Sequence, residues 1–274
     1  MNHELDRELD HELDHEAVLA RYDRQIRRDA QTDSPGARVE RAGAVVRQIG
    51  AEHDWNGVHW ADVDASTADA VIAEQVRYYT SAGREFEWKL HSHDRPADLA
   101  DRLRAAGFVP EPPETVMVAE VAGLPTEPQL PEGVRLFPVT DAAGVRLMAD
   151  AHDVAFGADG SGLGERLAKR VLTQLTETPD TIVAVVAMAG DVPVSSARME
   201  LCPGTDFAGL WGGGTAPRWR GKGIYRALVA HRARIAADRG YRYLQVDASD
   251  DSRPILRRLG FVQLSVTTPY VYQP

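Results

Sequence analysis

The sequence predicts an α/β fold with a mixed sheet, and three observations support this prediction. Strand-like and helix-like patterns alternate from residue 133 to residue 274. The segment from residue 66 to residue 121 repeats the order of elements of the last fifty residues. The chain has 274 residues, of which 43% are hydrophobic, so it can bury a sizeable core and is long enough for two domains.

The C-terminal half contains predicted elements in a regular order. Residues 134–137 read as a strand, residues 141–156 and 163–175 as two amphipathic helices, and residues 182–188 and 192–201 as a hairpin. A strand (207–215), a helix (223–238), a strand (241–248), a short helix (255–259) and a final strand (261–271) follow. Gly260 marks the end of the short helix.

The first 36 residues are predicted to form a charged N-terminal helix. Leu5, Leu9 and Leu13 lie four residues apart and therefore share one helical face. His11 and His15 have a spacing that could bind a metal, but no third ligand accompanies them, so we assign no metal. Turn chemistry at 33–36 ends the helix.

An internal repeat suggests that residues 37–124 form a first unit. A helix (66–82), a strand (85–93), a helix (97–106) and a strand (115–121) parallel the end of the chain, and residues 102–108 resemble residues 257–261. Residues 125–132 are rich in proline, which cannot continue a sheet, so they are predicted to be a linker. The second unit then spans residues 133–274.

Composition excludes several classes of function. The net charge of −10 disfavours a nucleic-acid partner and mildly favours cationic substrates. No apolar run reaches membrane-spanning length, so we expect neither membrane insertion nor export. The single cysteine, Cys202, suits a reducing cytoplasm and is expected to face the core rather than to act as a nucleophile.

Residues 220–225 are the most informative stretch of the chain. They lie between a predicted strand and a predicted helix, where free backbone N–H groups and the helix dipole favour a phosphate. Gly221 and Gly223 let a ligand approach the backbone closely, and Arg220, Lys222 and Arg226 add positive charge. The alternative is that the two glycines only form a tight turn.

The stretch has neither the G-x-x-x-x-G-K-[ST] nor the G-x-G-x-x-G pattern. Residues 215–228 instead resemble the coenzyme A pyrophosphate loop of the GNAT superfamily of acetyltransferases, [RQ]-x-x-G-x-[GA] between a strand and a helix. Arg218-x-x-Gly221-x-Gly223 fits literally, but the distance from Pro217 favours Arg220-x-x-Gly223-x-Tyr225, which we adopt. Tyr225 then replaces the usual small residue.

The resemblance covers residues 133–274 well and the first half weakly, and it implies two tandem GNAT-like units. It implies acetyl-CoA as acyl donor, no metal, and direct transfer to the amine of a small molecule. The strand before the loop would contact the pantetheine arm, and a serine-led helix would flank it. The implied cofactor-binding residues are Gly213, Gly214, Thr215, Arg220, Gly221, Lys222, Gly223, Ile224, Tyr225, Arg226, Ser249 and Ser252.

The resemblance leaves the proton-transfer groups open. Leu256 occupies the position of the tyrosine that often serves as general acid in this family, so Tyr270 or Tyr225 is the expected replacement. Glu200 and Asp206 are the candidates for accepting the amine proton, and Trp211 is expected to form a wall of the acceptor pocket.

The first unit has no glycine loop before its helix at residue 66, so it is expected to be a degenerate copy without coenzyme A. Two alternatives to an N-acetyltransferase remain: a module that binds or senses acyl-CoA without turnover, and a GNAT-fold enzyme that uses another acyl-CoA. The oligomeric state and the acceptor are left open.

Overall fold

A computed structural model describes residues 13–32, 34–50, 54–157 and 163–274. The predicted N-terminal helix is present as α1 (His15–Tyr22), which continues directly into a π-helical turn, Asp23–Arg28. Asp14 caps the first turn, since its carboxylate accepts a hydrogen bond from the N–H of Ala17. Leu5, Leu9 and His11 lie outside the described residues.

Further helices and strands follow along the described residues, most of them where the sequence predicts them. The other helices are α2 (Ala68–Ser81), α3 (Leu99–Ala105), α4 (Ala142–Phe156), α5 (Leu163–Glu177), α6 (Ile224–Asp238) and α7 (Arg253–Arg258). The strands are β1 (Arg38–Ala42), β2 (Val45–Ile49), β3 (Gly57–Ala61), β4 (Phe86–His91), β5 (Val109–Pro110), β6 (Glu114–Glu120), β7 (Val134–Val139), β8 (Ile182–Ala189), β9 (Val192–Leu201), β10 (Phe207–Thr215), β11 (Tyr243–Ala248) and β12 (Val262–Tyr272).

The described strands form one continuous mixed sheet, which confirms the predicted fold class. Its order is β1-β2-β3-β4-β12-β6-β11-β10-β9-β8-β7, and the short β5 pairs with β12. Two pairs, β3 with β4 and β10 with β11, are parallel, and the other pairs are antiparallel. Each parallel pair occupies the same place in its half of the sequence, so the two halves share one topology.

The two halves of the chain exchange their last strands. β6, from the first half, lies between β11 and β12 of the second half. β12, from the second half, lies between β4 and β6 of the first half. Residues 124–133, which contain no helix or strand, separate the halves in sequence, but the sheet has no break between them.

Helices cover both faces of the sheet. On one face, α6 and α7 pack over Ala208, Leu210 and Leu244, and α2 and α3 pack over Phe86 and Trp88. On the opposite face, α1 packs over Phe207 and its neighbours, and α4 and α5 pack over β7 and β8. The alternation of side chains along each strand therefore fills two core layers.

The hairpin β1–β2 and strand β3 were not predicted from the sequence. β1 has the sequence Arg-Val-Glu-Arg-Ala, which resembles a polar loop. All five residues of β2 are buried, including Arg47 and Gln48. The Arg47 guanidinium donates hydrogen bonds to Glu40 on β1 and to Gln75 on α2. These partners, one of them distant in sequence, allow a charged side chain to be buried in β2.

Candidate active site

The parallel strands β10 and β11 diverge at the centre of the sheet. They pair only from Phe207 to Gly209 on β10, opposite Tyr243 to Gln245 on β11. Beyond this point β10 continues to Thr215 and β11 to Ala248 without pairing to each other. We call the gap between the two unpaired ends the opening. Backbone groups on its edges are available to a ligand that lies between the strands.

Helix α6 begins directly after β10 and presents free N–H groups beside the opening. Gly221 and Gly223 have φ values of 75° and 86°, in the left-handed region that favours glycine. No side chain caps α6, and within the described residues the backbone N–H groups of residues 221–226 donate no hydrogen bond. This run, at the positive end of a 15-residue helix, has the form of an anion site.

The cationic side chains of the loop differ in what they contact. Arg220 donates to the carbonyl of Thr215 at 3.1 Å and to the carbonyl of Ala155 at 2.9 Å, so it ties the loop to β10 and α4. Lys222 is exposed, with Nζ 4.5 Å from the centroid of the Trp219 ring. Arg226 is exposed, and its guanidinium lies over Gly223. Lys222 and Arg226 therefore add charge at the free N–H groups, whereas Arg220 orders the loop.

The three consecutive glycines of β10 are closely packed. Gly212 has a φ of 60°, and the sheet register shifts between Trp211 and Gly214, which indicates a bulge. A Cβ on Gly213 would lie 2.8 Å from the Tyr225 ring, and a Cβ on Gly214 would overlap the Phe156 ring. The glycines therefore allow aromatic rings to cover the strand that borders the opening, and Tyr225 points at this strand.

The serine-led helix lies at the end of β11, as predicted. The hydroxyl groups of Ser249 and Ser252 are 3.2 Å apart, and the Ser249 carbonyl accepts from the N–H of Ser252 and of Arg253. Leu256, at the position of the family's tyrosine, is fully buried in the core under α6 and α7. Its burial among apolar side chains explains why a leucine is tolerated there, and its hydrocarbon side chain cannot transfer a proton.

A cavity of about 790 Å³ borders the opening on the face opposite α6. Trp211 and Gly209 line it from β10, and Gln245 and Asp247 line it from β11. Other walls come from the N-terminal helix, from α5 and β9, and from β3, β4 and β6 of the first half of the chain. Both halves therefore build this cavity, and the anion site and the cavity lie on opposite faces of the sheet.

Of the side chains predicted for catalysis and for the acceptor pocket, Glu200 and Trp211 line the cavity, whereas Asp206 and Tyr270 do not. Glu200 on β9 lines the cavity and pairs with Arg198 at 3.3 Å and with Arg170 at 3.5 Å. Trp211 lines the cavity as well. Asp206 precedes β10, at the end remote from the opening, and Arg21 and Gln25 hydrogen-bond its carboxylate. The hydrogen bond from Arg21 keeps the pKa of Asp206 low, so Asp206 anchors the N-terminal helix instead.

The position of Tyr270 contradicts its predicted role as a general acid. Its side chain is 2% exposed and lies in the core cluster of the first half, with Trp88 and Phe86. The neighbouring residue Pro269 faces the cavity, so alternation along β12 directs Tyr270 to the other face of the sheet. Tyr225 contacts the strand at the opening, and burial raises its pKa, so its hydroxyl stays protonated near neutral pH.

Asp247 and Lys89 line the cavity but were not predicted from the sequence as residues of the site. Asp247 is the first β11 residue beyond the paired segment that faces the cavity, and it forms a salt bridge with Lys89 of β4. Burial is the largest single effect and disfavours the Lys89 ammonium, but Asp247, Tyr22 and Glu87 together outweigh it and raise the pKa of Lys89. The two residues are 158 positions apart, and the only local signal was the alternation of Glu87, Lys89 and His91 with apolar residues.

Comparison with known sequences identifies the second half of the chain. The profile of the Acetyltransferase (GNAT) family matches residues 165–261, which include β10, the loop and α6. Residues 165–261 therefore match a GNAT domain. No curated protein matches the sequence.

Solved structures share the fold over nearly the whole chain. A GCN5-related N-acetyltransferase from Kribbella flavida has a TM-score of 0.68 at 18% identity, covering 94% of this chain and 95% of that chain. A functionally unknown conserved protein from Staphylococcus epidermidis has a TM-score of 0.66 at 14% identity, covering 90% and 96%. A tandem GNAT protein from the clavulanic acid biosynthesis pathway has a TM-score of 0.61 at 12% identity, covering 88% and 84%. The tandem arrangement predicted from the sequence is therefore a known fold.

The first half has the GNAT topology but a different helix start. Its strands β3 and β4 are parallel and pair only at Gly57 and Val58, so they also diverge. Asp64 lies four residues before the first residue of α2, the place that Arg220 has before α6. The Asp64 carboxylate accepts hydrogen bonds from Ser66 and Thr67, including their backbone N–H groups, which lower its pKa to about 2. The Asp64 carboxylate thus binds N–H groups that would otherwise be available to a bound anion.

The N-terminal helix covers the diverging strands of this half. Arg27 is 3% exposed and donates to the carbonyl of His59 on β3 and, through both terminal nitrogens, to Asp23 and Asp94. Among the described residues, the second half therefore has an uncovered strand gap beside a run of free N–H groups, whereas the N-terminal helix covers the gap of the first half. Among the described residues, no group of three or more His, Cys, Asp or Glu side chains is arranged to hold a metal, and no helix is long and apolar enough to cross a membrane.

Proposed function

We propose that the protein is an N-acetyltransferase that moves the acetyl group of acetyl-CoA directly to an amine of a small molecule. One observation carries the proposal: the opening between β10 and β11 has the free N–H groups of the α6 start on one face of the sheet and a cavity on the other. A donor and an acceptor bound on opposite faces would meet at the opening. Holding two reactants in this way accelerates a bimolecular reaction strongly.

The residues of the loop fit the donor. Six consecutive N–H groups, 221–226, and the side chains of Lys222 and Arg226 would hold the pyrophosphate. The unpaired edge of β10, which includes Gly213 and Thr215, would hydrogen-bond the pantetheine arm, and Ser249 and Ser252 would border it from β11. Acetyl-CoA supplies the activated thioester, and backbone N–H groups at the opening would polarise its carbonyl.

The acceptor side needs a group that takes a proton from the amine. Glu200 faces the cavity from β9, where it is paired in register with Gly209 of β10, next to Trp211 along the cavity face. We assign proton acceptance to Glu200, directly or through a water, and the wall of the amine site to Trp211. The Tyr225 ring packs against Gly213, and we assign protonation of the departing thiolate to its phenol.

The test is release of free coenzyme A from acetyl-CoA with a panel of small amines. Wild-type protein should release coenzyme A in the presence of an accepted amine, and Glu200→Gln should lower kcat by at least about 100-fold, the usual effect of a general base. Asp206→Asn is the matched control, since it should lower Tm through loss of the Arg21 and Gln25 contacts but leave kcat nearly unchanged. Equal effects of both changes on kcat would contradict the assignment.

A coenzyme-binding module without turnover is the second candidate. The burial of Leu256 favours it, because this residue removes the phenol that the family often uses. Binding of acetyl-CoA by calorimetry, without coenzyme A release for any amine, would support the module. Mass spectrometry of the acylated product would identify the acyl group if another acyl-CoA is preferred.

A further inference from the structure

Four carboxylates surround one ammonium group at the end of the cavity that the first half of the chain builds. Glu87 and Lys89 lie on β4, Glu114 begins β6, Glu111 precedes it, and Asp247 lies on β11. All five side chains line the cavity. We call Glu87, Glu111, Glu114 and Asp247 the carboxylate cluster. Lys89 pairs with Asp247 alone, so most of the negative charge of the cluster has no ion-pair partner among the described residues.

The other cations that line the cavity are engaged elsewhere. Arg27 forms salt bridges with Asp23 and Asp94 at 2.8 Å and 2.7 Å. Arg170 and Arg198 form salt bridges with Glu200. The cavity is therefore polarised, with guanidinium groups near Glu200 and excess carboxylate near Lys89.

Three side chains that line the cavity beside the cluster contain buried polar atoms without a hydrogen-bond partner. Asp247 Oδ1 and Gln245 Oε1 have no partner in the described structure, although the Asp247 side chain is only 2% exposed and Gln245 is 7% exposed. His91 Nε2 also has none, and this residue is 2% exposed. Buried polar groups in native proteins nearly always have a partner, so three such atoms on one cavity wall indicate a ligand.

All three unpartnered atoms are acceptors. Carboxylate and amide oxygens only accept hydrogen bonds. His91 Nδ1 lies 3.3 Å from the carbonyl of Lys89, which cannot donate, so Nδ1 carries the proton and Nε2 is the acceptor. Burial lowers the pKa of His91 far below its usual value, so the ring is neutral. The missing partner is therefore a donor of several hydrogen bonds, and the carboxylate cluster favours one with positive charge.

An anion does not fit this wall, because it would meet carboxylates and acceptor atoms. A metal ion does not fit it either, since the described residues provide no group of three His, Cys, Asp or Glu ligands. An ammonium group fits: it has three N–H donors, no acceptor, and a charge opposite to that of the cluster.

We propose that the carboxylate-cluster end of the cavity binds a second ammonium group of the acceptor, so that the substrate is a diamine or a longer polyamine. This inference rests on the proposed N-acetyl transfer. The reacting amine lies at the opening beside Trp211 and Glu200, and the second ammonium contacts Asp247, Gln245 and Glu114. The first half of the chain then contributes acceptor specificity, although it has no coenzyme site of its own.

The kinetic test compares three amines of equal chain length: 1,4-diaminobutane, 4-amino-1-butanol and 1-aminobutane. Wild-type kcat/KM should be at least about tenfold higher for the diamine, since a hydrogen bond to a charged group contributes about that factor. Glu114→Gln removes a charge but keeps the shape, and it should lower the diamine-to-monoamine ratio by about tenfold. Glu74→Gln, an exposed change on α2, is the matched control for net charge and should leave the ratio unchanged.

Calorimetry separates this inference from the proposed function. In the presence of coenzyme A, 1,4-diaminobutane should bind at least about tenfold more tightly than 1-aminobutane, whether or not an acetyl group is transferred. Binding preference without turnover would refute N-acetyl transfer and keep the ammonium site. Equal binding of the two amines, or an unchanged preference in correctly folded Glu114→Gln protein, would overturn the ammonium site. Asp247→Asn is the second variant, and its failure to weaken diamine binding would overturn the site in the same way.

Discussion

Arg220 links the loop before α6 to two other elements. Its guanidinium donates to the carbonyls of Thr215 and Ala155, which lie 5 and 65 residues away in sequence. An arginine in a phosphate loop would be expected to contact the ligand first, but these two bonds use its donors to hold β10 and α4. Lys222 makes no comparable bond and is exposed.

We therefore expect Arg220→Ala and Lys222→Ala to differ. Arg220→Ala should lower Tm, because two hydrogen bonds from a charged donor are lost at about 1 to 3 kcal/mol in total, and it should also weaken acetyl-CoA binding. Lys222→Ala should weaken binding by about three- to tenfold, in line with one exposed charge contact, without a change in Tm. Differential scanning fluorimetry and calorimetry measure the two effects. An unchanged Tm for Arg220→Ala would show that the hydrogen bonds from Arg220 to Thr215 and Ala155 do not stabilise the fold.

Glu87 should make stability depend on pH in an unusual direction. Burial raises the pKa of Glu87 in the folded state, although Lys89 and the indole N–H of Trp55 favour its charged form. A carboxyl group whose folded pKa exceeds its unfolded pKa contributes stability at low pH, and that contribution is lost as pH rises through the folded pKa.

Glu87→Gln should therefore raise Tm at pH 8 relative to wild type and have little effect at pH 3, where the wild-type carboxyl is protonated in both states. Glu74→Gln, which alters an exposed side chain, should show no such difference between the two pH values. Thermal unfolding at both pH values measures this. A lower Tm for Glu87→Gln at pH 8 would mean that the ionised carboxylate stabilises the fold.

At the scale of the element, the start of α6 is defined by backbone conformation more than by side chains. Gly221 has a φ of 75°, and a Cβ at this position would point into open space beside the free N–H groups. Gly43, in the turn between β1 and β2, has a φ of 59° and also has open space around a Cβ. The two glycines are therefore matched in strain and differ only in location.

Gly221→Ala and Gly43→Ala should destabilise the protein by similar amounts, about 1 to 2 kcal/mol each, because alanine is strained at positive φ. Only Gly221→Ala should also weaken acetyl-CoA binding, since its methyl group would occupy the approach of a phosphate. Equal affinities for acetyl-CoA in the two variants would support the tight-turn interpretation of the loop and would argue against an anion site.

Element boundaries could be predicted well where local patterns are strong. β10 spans the predicted residues, and α6 begins one residue after its predicted start. The β1–β2 hairpin could not be predicted because its polar residues are buried by contacts with distant elements, as the pairing of Arg47 with Gln75 illustrates. Local hydrophobic patterns contain no information about such partners.

For the whole molecule, the two helix starts predict one coenzyme per chain. The free N–H groups before α6 can accept a phosphate, whereas Asp64 already satisfies two N–H groups before α2 and would repel an anion there. Calorimetric titration with acetyl-CoA should give a stoichiometry of one. Two equivalent sites would show that the first half is not degenerate. Asp64→Ala should lower Tm and leave the affinity of the single site unchanged.

The exchange of strands predicts that residues 133–274 do not fold alone. In this fragment β11 would lose all six of its register partners on β6, and β12 would lose β4, β5 and β6. The exposed strand edges should cause aggregation or loss of structure, measured by circular dichroism and gel filtration. Co-expression with residues 1–132 should restore a folded, acetyl-CoA-binding complex. A monomeric, folded fragment would contradict this prediction.

The sequence by itself determined the α/β class, most element boundaries, the tandem arrangement and the loop before α6, because these depend on local periodicity, on glycine conformation and on short motifs. Tertiary structure alone decided which acidic side chains face the cavity. Asp206 and Glu200 are six residues apart, yet one binds the N-terminal helix and the other faces the cavity with Trp211. Asp247 and Lys89 form an ion pair only because the two halves share one sheet. Local sequence patterns contain no information about a contact between residues so far apart in the chain.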